Sequence, residues 1–214
     1  MLAHAVRATP RLGRPGSDFI YPLMSQVQDC GVARQLLARA VGLSPRDAAQ
    51  VLLRSAAASM LQEPTDHAPY GWSHCLTMPQ AVLGIAHLCA DPTFAVAVAA
   101  TYVVGFRAAL GVTDLAEDWA PPQTTLDVAG ALRHQPDHAV PAVWYAEPDT
   151  YGWIGTELAT RASVHPDAHL AKYTLACLDA AAQDRDASRL YLSAAAALVA
   201  YWTELDGADL LDIA

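Results

Sequence analysis

Apolar residues recur at helical spacing along most of the chain, and no segment alternates between apolar and polar positions over five residues. The clearest helix covers residues 44–62, where Ser44 is expected to cap the helix and Pro45 to occupy its first position. The same pattern predicts helices near residues 18–29, 32–41, 78–90, 92–110, 125–134, 150–163, 166–183 and 186–205. We therefore expect an all-α fold, a single-domain bundle of about eight to nine helices.

Two of the predicted helices are apolar on nearly every side. The first contains "FAVAVAATYVVGF", a run of 13 residues that ends at Arg107 and is too short to cross a bilayer. We expect it to be a buried helix. The second, near residues 186–205, has too few polar positions to cover a solvent-facing side, so it should lie inside the bundle or in a subunit interface. On this basis we predict a homodimer.

Composition narrows the class of protein. A chain of 214 residues with 53% hydrophobic residues can bury a single large core, and we place that domain at residues 17–214. Residues 1–16 are rich in proline, glycine and arginine without an apolar period, which predicts a mobile arm. The net charge of −9 argues against a nucleic-acid partner, because phosphate binding needs a basic face.

The cysteines and the first residues favour a cytoplasmic protein without a membrane partner. Cys30, Cys75, Cys89 and Cys177 have no C-x-x-C spacing and lie among apolar neighbours, so we expect reduced thiols in the core. The first residues contain no apolar run long enough for a secretory signal.

Two histidine pairs have the i, i+4 spacing of helical zinc sites, at residues 134–138 and 165–169. Pro136 interrupts the first pair and predicts a loop there. Pro166 is expected to be the first residue of a helix, which leaves His165 at its cap position. Neither pair contains the glutamate of H-E-x-x-H, so we expect no bound metal.

The second pair is followed by Lys172, the only lysine of the chain. In a helix that starts at Pro166, Asp167 lies in the first turn, and His169 and Tyr173 share a face with Lys172 beside them. A histidine, a lysine and a phenol would then converge, and such a cluster can donate protons, hold an oxyanion or bind a phenolate. Alternatively, the aspartate only caps the helix and the tyrosine belongs to the core.

Further candidates lie in two other stretches. In "PYGWSHCLTMPQAVLGIAH", residues 69–87, a helix is expected to start at Met78 and Pro79, with His74 in the loop before it, a common place to orient a polar ligand. Aromatic residues near the histidines suit a flat substrate, although they suit a helical core equally well. The candidates for substrate contact are Trp72, His87, Tyr151, Trp153, His165 and Tyr173.

Three segments together resemble the questin oxidase-like proteins, over about residues 66–205. They are "HCLTMPQA" at 74–81, "DAHLAKYTLAC" at 167–177 and "AAAQDRDASRLYLSAAAALVAYW" at 180–202. That family includes fungal enzymes of anthraquinone and mycotoxin pathways and uncharacterised bacterial members. The resemblance implies an all-α fold and a Baeyer–Villiger-like ring opening of an aromatic polyketide, with dioxygen and NADPH.

By the same resemblance the catalytic residues are His74, His169 and Lys172, with Asp167 adjoining. His169 is expected to act as the base and Lys172 to stabilise an anion. The chain departs from the family in two respects: the family members are longer, and no G-x-G-x-x-G follows a strand, so no dinucleotide-binding motif is visible.

Three hypotheses therefore remain open. The first is an oxidoreductase, a monooxygenase that acts on an aromatic polyketide-like small molecule. The second is a metal-dependent helical enzyme that uses His165, His169 and a further histidine, either His74 or His87. The third is a non-catalytic helical protein that binds a ligand or dimerises.

Overall fold

The computed structural model describes residue 6, residues 20–40 and residues 42–212. These residues form helices and no strand, which confirms the predicted all-α class. The α-helices of the described residues, numbered in chain order, are α1 Ile20–Asp29, α2 Val32–Ala40, α3 Pro45–Gln62, α4 Ser73–Gly84, α5 Pro92–Leu110, α6 Val128–His134, α7 Ala139–Trp144, α8 Tyr151–Val164, α9 Ala168–Gln183 and α10 Ser188–Asp206.

The helices pack into two compact units, one ending at Ala116 and one starting at Glu117. We call them unit 1 and unit 2 and describe each by itself. The limits of a single domain at 17–214 stay a prediction. The predicted mobile arm, 1–16, lies outside the described residues apart from Val6, which is fully buried and accepts a hydrogen bond from Arg107 Nε at 2.9 Å.

Unit 1 is built around α5, which packs against α1, α2, α3 and α4. Its buried positions include Val96, Ala99, Val103 and Phe106 and lie on several sides of the helix, as predicted for the long apolar run. In the described part of the chain, α5 is also the one helix whose length and composition would allow it to span a membrane, but 72% of that window is buried by the protein itself.

Side-chain caps set the starts of the two longest helices of unit 1. Ser44 Oγ accepts a hydrogen bond from the backbone N–H of Asp47 at 3.1 Å, which confirms the predicted cap of α3. Asp91 caps α5 in the same way, through the N–H groups of Thr93 and Phe94. Each cap contributes about 1 kcal/mol, because it satisfies a helix donor that has no partner within the helix.

The start predicted for α4 is wrong. A 3-10 turn over Thr65–His67 and a π-helical turn over Ala68–Trp72 lead directly into α4, which therefore begins at Ser73. Pro79 consequently lies inside the helix, where it is buried and cannot donate a hydrogen bond to the carbonyl of Cys75. The helix ends at Gly84, six residues before the predicted end.

Unit 2 is built around α10, which packs against α6, α7, α8 and α9. Its middle, from Tyr191 to Val199, is buried apart from the half-buried Ala197, so the second apolar helix is covered within its own unit. Burial inside each unit thus accounts for both apolar helices without a partner chain. The homodimer stays a prediction.

Two details of unit 2 differ from the predictions. The short helix α7 was not expected, because six residues with Pro141 among them give no readable apolar period. Helix α9 begins at Ala168 and not at Pro166, because Asp167 has extended backbone angles and acts as the N-cap. His165 accordingly ends α8 and does not cap α9.

The cysteines are only partly placed as expected. All four are free thiols, and Cys75 and Cys177 are fully buried, whereas Cys30 and Cys89 are exposed. The prediction of core thiols is wrong for the exposed pair, because both lie in turns that follow a helix, where apolar neighbours do not imply burial. Burial raises the pKa of the Cys75 thiol to about 12 and also raises that of Cys177.

Candidate functional site

The connection between α8 and α9 brings together two of the predicted site histidines. Asp167 Oδ1 accepts a hydrogen bond from the backbone N–H of His169 at 2.7 Å and lies 2.8 Å from His169 Nδ1. The imidazole is 28% exposed and the carboxylate 19%. Because a carboxylate only accepts, Nδ1 carries the proton of this contact, and the lone pair of the neutral ring lies on Nε2.

His165 lies on the inner side of the same connection. Its Nδ1 accepts a hydrogen bond from the backbone N–H of Asp167 at 3.1 Å, and its Nε2 lies 3.2 Å from Asp206 Oδ2. Nδ1 must therefore be unprotonated, so Nε2 carries the proton and donates to the carboxylate. The ring also packs against Trp202, with centroids 4.6 Å apart.

These contacts form a series, from Asp206 through His165 and Asp167 to His169, which we call the aspartate–histidine series. It fastens the α8–α9 connection to the end of α10. The side chain of His165 is only 3% exposed, and both of its ring nitrogens have protein partners. Its position supports the orientation of Asp167 and leaves little surface for the predicted contact with substrate.

The predicted convergence of Lys172 and Tyr173 is wrong. The side chain of Lys172 is exposed and makes no hydrogen bond or ion pair with the described residues, whereas Tyr173 is fully buried. Successive residues of an α-helix point about 100° apart, and packing of α9 places the tyrosine in the core. Burial raises the pKa of the Cys177 thiol, and the nearby Tyr173 hydroxyl acts against that change.

The other predicted site residues on the N-terminal side belong to unit 1. His74 lies in the first turn of α4 and not in a loop, its Nδ1 is hydrogen-bonded with the carbonyl oxygen of Tyr70, and its ring stacks on Phe106. Trp72 is fully buried in the π-helical turn and donates to the carbonyl of Pro64 at 3.1 Å, as a core residue does. His87 is exposed in a 3-10 turn.

Tyr151 and Trp153 lie in the first turn of α8. Trp153 is 46% exposed, while Tyr151 lines an open groove of about 850 Å³ between α8, the C-terminal half of α9 and the start of α10. Arg185 lies at the same end of the groove and also lines a smaller recess of about 410 Å³ next to it. Of the sequence candidates, only Tyr151 lines this groove.

Sequence reasoning missed two buried ion clusters, one in each unit. In unit 1, Arg107 pairs with Glu63 at 3.3 Å, and burial lowers the pKa of the guanidinium while the charges of Cys75 and Glu63 act against that change. In unit 2, Arg161 pairs with Glu157 at 2.7 Å and with Asp209 at 3.2 Å. Only the i, i+4 spacing of Glu157 and Arg161 is visible in the sequence.

Neither a metal-binding cluster nor a dinucleotide fold is present among the described residues. They contain no group of three or more histidine, cysteine, aspartate or glutamate side chains placed to hold a metal ion. They contain no strand, so the strand, glycine-rich loop and helix of a dinucleotide fold are not present among them. If NADPH is bound, it is not held by a dinucleotide fold among these residues. The expected use of NADPH and the expected absence of a metal both stay predictions.

No family model, curated protein or solved structure matches this chain. The resemblance to the questin oxidase-like proteins therefore depends on the three sequence segments alone and stays a prediction.

Proposed function

We propose that the protein is an enzyme that acts on an ionisable small molecule, with His169 as the base that removes a proton and Asp167 as the residue that positions it. The observation that carries the proposal is the 2.8 Å contact between Asp167 Oδ1 and His169 Nδ1 in a partly exposed imidazole. A carboxylate at Nδ1 fixes the tautomer and stabilises the imidazolium that forms when Nε2 takes a proton.

The positioning of Asp167 supports this role. Its carboxylate is held by the first turn of α9, and its backbone N–H donates to His165, which is itself held by Asp206. A base whose partners are fixed before substrate arrives loses less freedom on reaction than a mobile surface histidine. The aspartate–histidine series therefore suits proton transfer at His169 Nε2.

The reaction class comes from the sequence resemblance. We propose an oxidoreductase of the monooxygenase type, and its substrate would be an aromatic polyketide-like phenol whose anion is electron-rich. Lys172 follows His169 by three residues on α9, so its ammonium lies on the same side of the helix and would hold the phenolate. Only the proton step is assigned to side chains, since the described residues contain no dinucleotide fold that would hold NADPH.

We propose a cytoplasmic homodimer without a nucleic-acid or membrane partner. Support comes from the net charge of −9 and from the free thiols at all four cysteines.

A non-catalytic ligand-binding protein is the second candidate, and one observation favours it. Asp167 is the N-cap of α9, and an N-cap aspartate needs no chemical role. The test must therefore separate capping from catalysis.

Asp167→Asn keeps a good N-cap but replaces the carboxylate at His169 Nδ1 by a neutral amide. Asp127→Asn is the matched control, because Asp127 caps α6 in the same unit through the N–H of Gly130 at 2.6 Å. Both variants should lose similar stability. Only Asp167→Asn should impair proton transfer.

The readout is ionisation of a hydroxyanthraquinone, whose phenolate absorbs at longer wavelength than the phenol. Wild-type protein should promote the phenolate on binding, and His169→Ala should abolish that promotion while the protein stays folded. Turnover of any hydroxyanthraquinone that is oxidised should fall by about 10²- to 10⁴-fold in His169→Ala. Equal ionisation and turnover in wild type, Asp167→Asn and His169→Ala would show that Asp167 only caps α9 and that His169 takes no part in proton transfer.

A further inference from the structure

We propose that the groove between α8 and α9 binds an amphipathic organic anion, a small molecule with one acidic group and a compact apolar body. This site is separate from His169, because the groove uses residues 178–182 of α9. Leu178 follows His169 by nine residues, which is about 13 Å along a helix. The proposal therefore does not depend on the proposed function.

The floor of the groove is formed by residues with little or no side chain. At Gly155 an added Cβ would lie 3.1 Å from Leu178, so glycine here lets α8 approach α9 closely. At Gly152 an added Cβ would meet nothing within 4 Å, which shows that the groove is open above this residue. A volume of about 850 Å³ lies within the range of small-molecule sites.

The hydroxyl groups along the groove have already used their protons. Thr156 donates to the carbonyl of Gly152, Thr160 to that of Thr156, and Ser188 to that of Ala181. Their oxygens can only accept further hydrogen bonds. Donors for a ligand therefore come from Arg185 and Tyr151, which lie together at one end.

The residues that line the groove and the adjoining recess carry two arginines against one acid, in a chain with a net charge of −9. The side chain of Arg185 is exposed and makes no hydrogen bond or ion pair with the described residues. In the adjoining recess, Asp186 and Arg189 offset each other in charge, which leaves Arg185 as the net charge. A guanidinium with no protein partner beside a phenol is suited to a carboxylate, sulfonate or phosphate.

Together these features set the chemistry of the ligand. Its acidic group would lie between Arg185 and Tyr151, and its apolar body would cover the small residues near Gly152 and Ala182. A neutral apolar molecule would leave the guanidinium without a partner. A strongly polar ligand would gain nothing from the small-residue floor.

The test uses two dyes with the same aromatic body, the anion 8-anilinonaphthalene-1-sulfonate and the neutral N-phenyl-1-naphthylamine. Fluorescence titration should show saturable binding of the sulfonate to wild-type protein. Arg185→Gln should weaken sulfonate binding about tenfold, the effect of one solvent-exposed charged hydrogen bond, and leave the neutral dye unchanged. Arg46→Gln, at an exposed arginine of α3, is the matched control and should change neither.

Filling the groove provides the second arm. Gly152→Phe should abolish binding of both dyes, whereas Gly84→Phe, at a glycine in unit 1 with equally open surroundings, should not. Ala182→Phe, at an exposed groove position, fills the same space if Gly152→Phe does not fold. His169→Ala should bind the sulfonate as wild type does, which separates this site from the proposed enzymatic function.

Three results would overturn the proposal. The first is that wild-type protein shows no saturable binding of the sulfonate. The second is that sulfonate affinity is unchanged both in Arg185→Gln and in the groove-filling variants. The third is that Arg46→Gln loses as much sulfonate affinity as Arg185→Gln. The last result would show attraction by overall charge and not by this groove.

Discussion

The guanidinium of Arg107 and the carboxylate of Glu63 lie 3.3 Å apart inside unit 1, and their side chains are only 2% and 0% exposed. Glu63 also accepts hydrogen bonds from the backbone N–H groups of Val112 and Thr113, so it holds the segment that follows α5. Removing the carboxylate would leave a buried cation and two backbone donors without their partner. Removing one partner of a buried ion pair lowers the free energy of unfolding by much more than the intact pair contributes to it.

We therefore predict that Glu63→Ala lowers the free energy of unfolding by about 3 to 5 kcal/mol. Glu63→Gln should cost less, because the amide still accepts hydrogen bonds. Urea unfolding followed by circular dichroism measures both. Glu147→Ala, at an exposed glutamate, is the control and should change stability by less than about 0.5 kcal/mol. Similar losses in Glu63→Ala and Glu147→Ala would contradict the importance of the buried pair.

Thiol labelling should separate the cysteines by exposure. Cys30 and Cys89 are exposed and should react with an aromatic disulfide reagent at pH 8 within minutes, whereas Cys75 and Cys177 should react only after unfolding. The Cys30→Ser/Cys89→Ser variant should show no fast reaction in the folded state. Fast labelling of that variant would mean that the core opens far more readily than its burial implies.

Stability should decline at high pH for a related reason. The pKa of Cys75 is raised by burial from 9.0 to about 12, so the folded protein retains a thiol proton that the unfolded chain releases above pH 9. The stability that the buried Cys75 thiol contributes is fully present below about pH 9 and is lost as the pH rises towards 12. The loss is at most about 1.4 kcal/mol per pH unit for this thiol.

The measurement is the free energy of unfolding in urea between pH 8 and pH 10.5. Cys75→Ala cannot release this proton, so its stability should fall less steeply with pH than that of wild type. Parallel curves for the two proteins would mean that Cys75 is not responsible.

Lys172→Arg tests the lysine that is unique in the sequence. Because Lys172 is exposed and makes no ion pair with described residues, the change should alter stability by less than about 0.5 kcal/mol. If the amine acts as a compact charge beside His169, the bulkier guanidinium should reduce phenolate binding or turnover strongly. Undiminished function in folded Lys172→Arg would remove the lysine from the site.

Two glycines of unit 2 should respond in opposite directions to alanine. Gly207 ends α10 with a φ of 71°, so Gly207→Ala should cost about 1 kcal/mol. Gly152 lies in the first turn of α8 with open space around it and without a positive φ, so Gly152→Ala should stabilise by about 0.4 to 1 kcal/mol. Thermal unfolding of both variants measures this difference, and a loss in both would indicate that α8 is strained at Gly152.

The helices were predictable where local signals are unambiguous. Ser44 and Asp91 cap helices with side chains that are readable in the sequence, and the ends of those helices were found within one residue. The errors arose at prolines, because proline is found in the first turn of a helix, as Pro141 is in α7, and also at the buried interior position of Pro79 in α4. Only packing decides between these two uses.

The candidate site was predictable only in its local part. The place of Asp167 near the start of α9, adjoining His169, was predicted from local signals, whereas the contact between their side chains was not. The hydrogen bond between His165 and Asp206 joins residues 41 apart in sequence, so no local sequence pattern predicts it. Tyr173 was misplaced for the same reason, since its burial depends on how α9 packs in unit 2.

The buried ion clusters also bear on the order in which a nascent chain can fold. Glu63 and Arg107 are both present once residue 116 has emerged from the ribosome, so unit 1 can neutralise its buried cation before unit 2 has been synthesised. Arg161, in contrast, obtains Asp209 only after α10 has been translated. Until then α8 carries a guanidinium that can be paired only with Glu157, and translation, not diffusion of the chain, sets the earliest moment at which unit 2 can close.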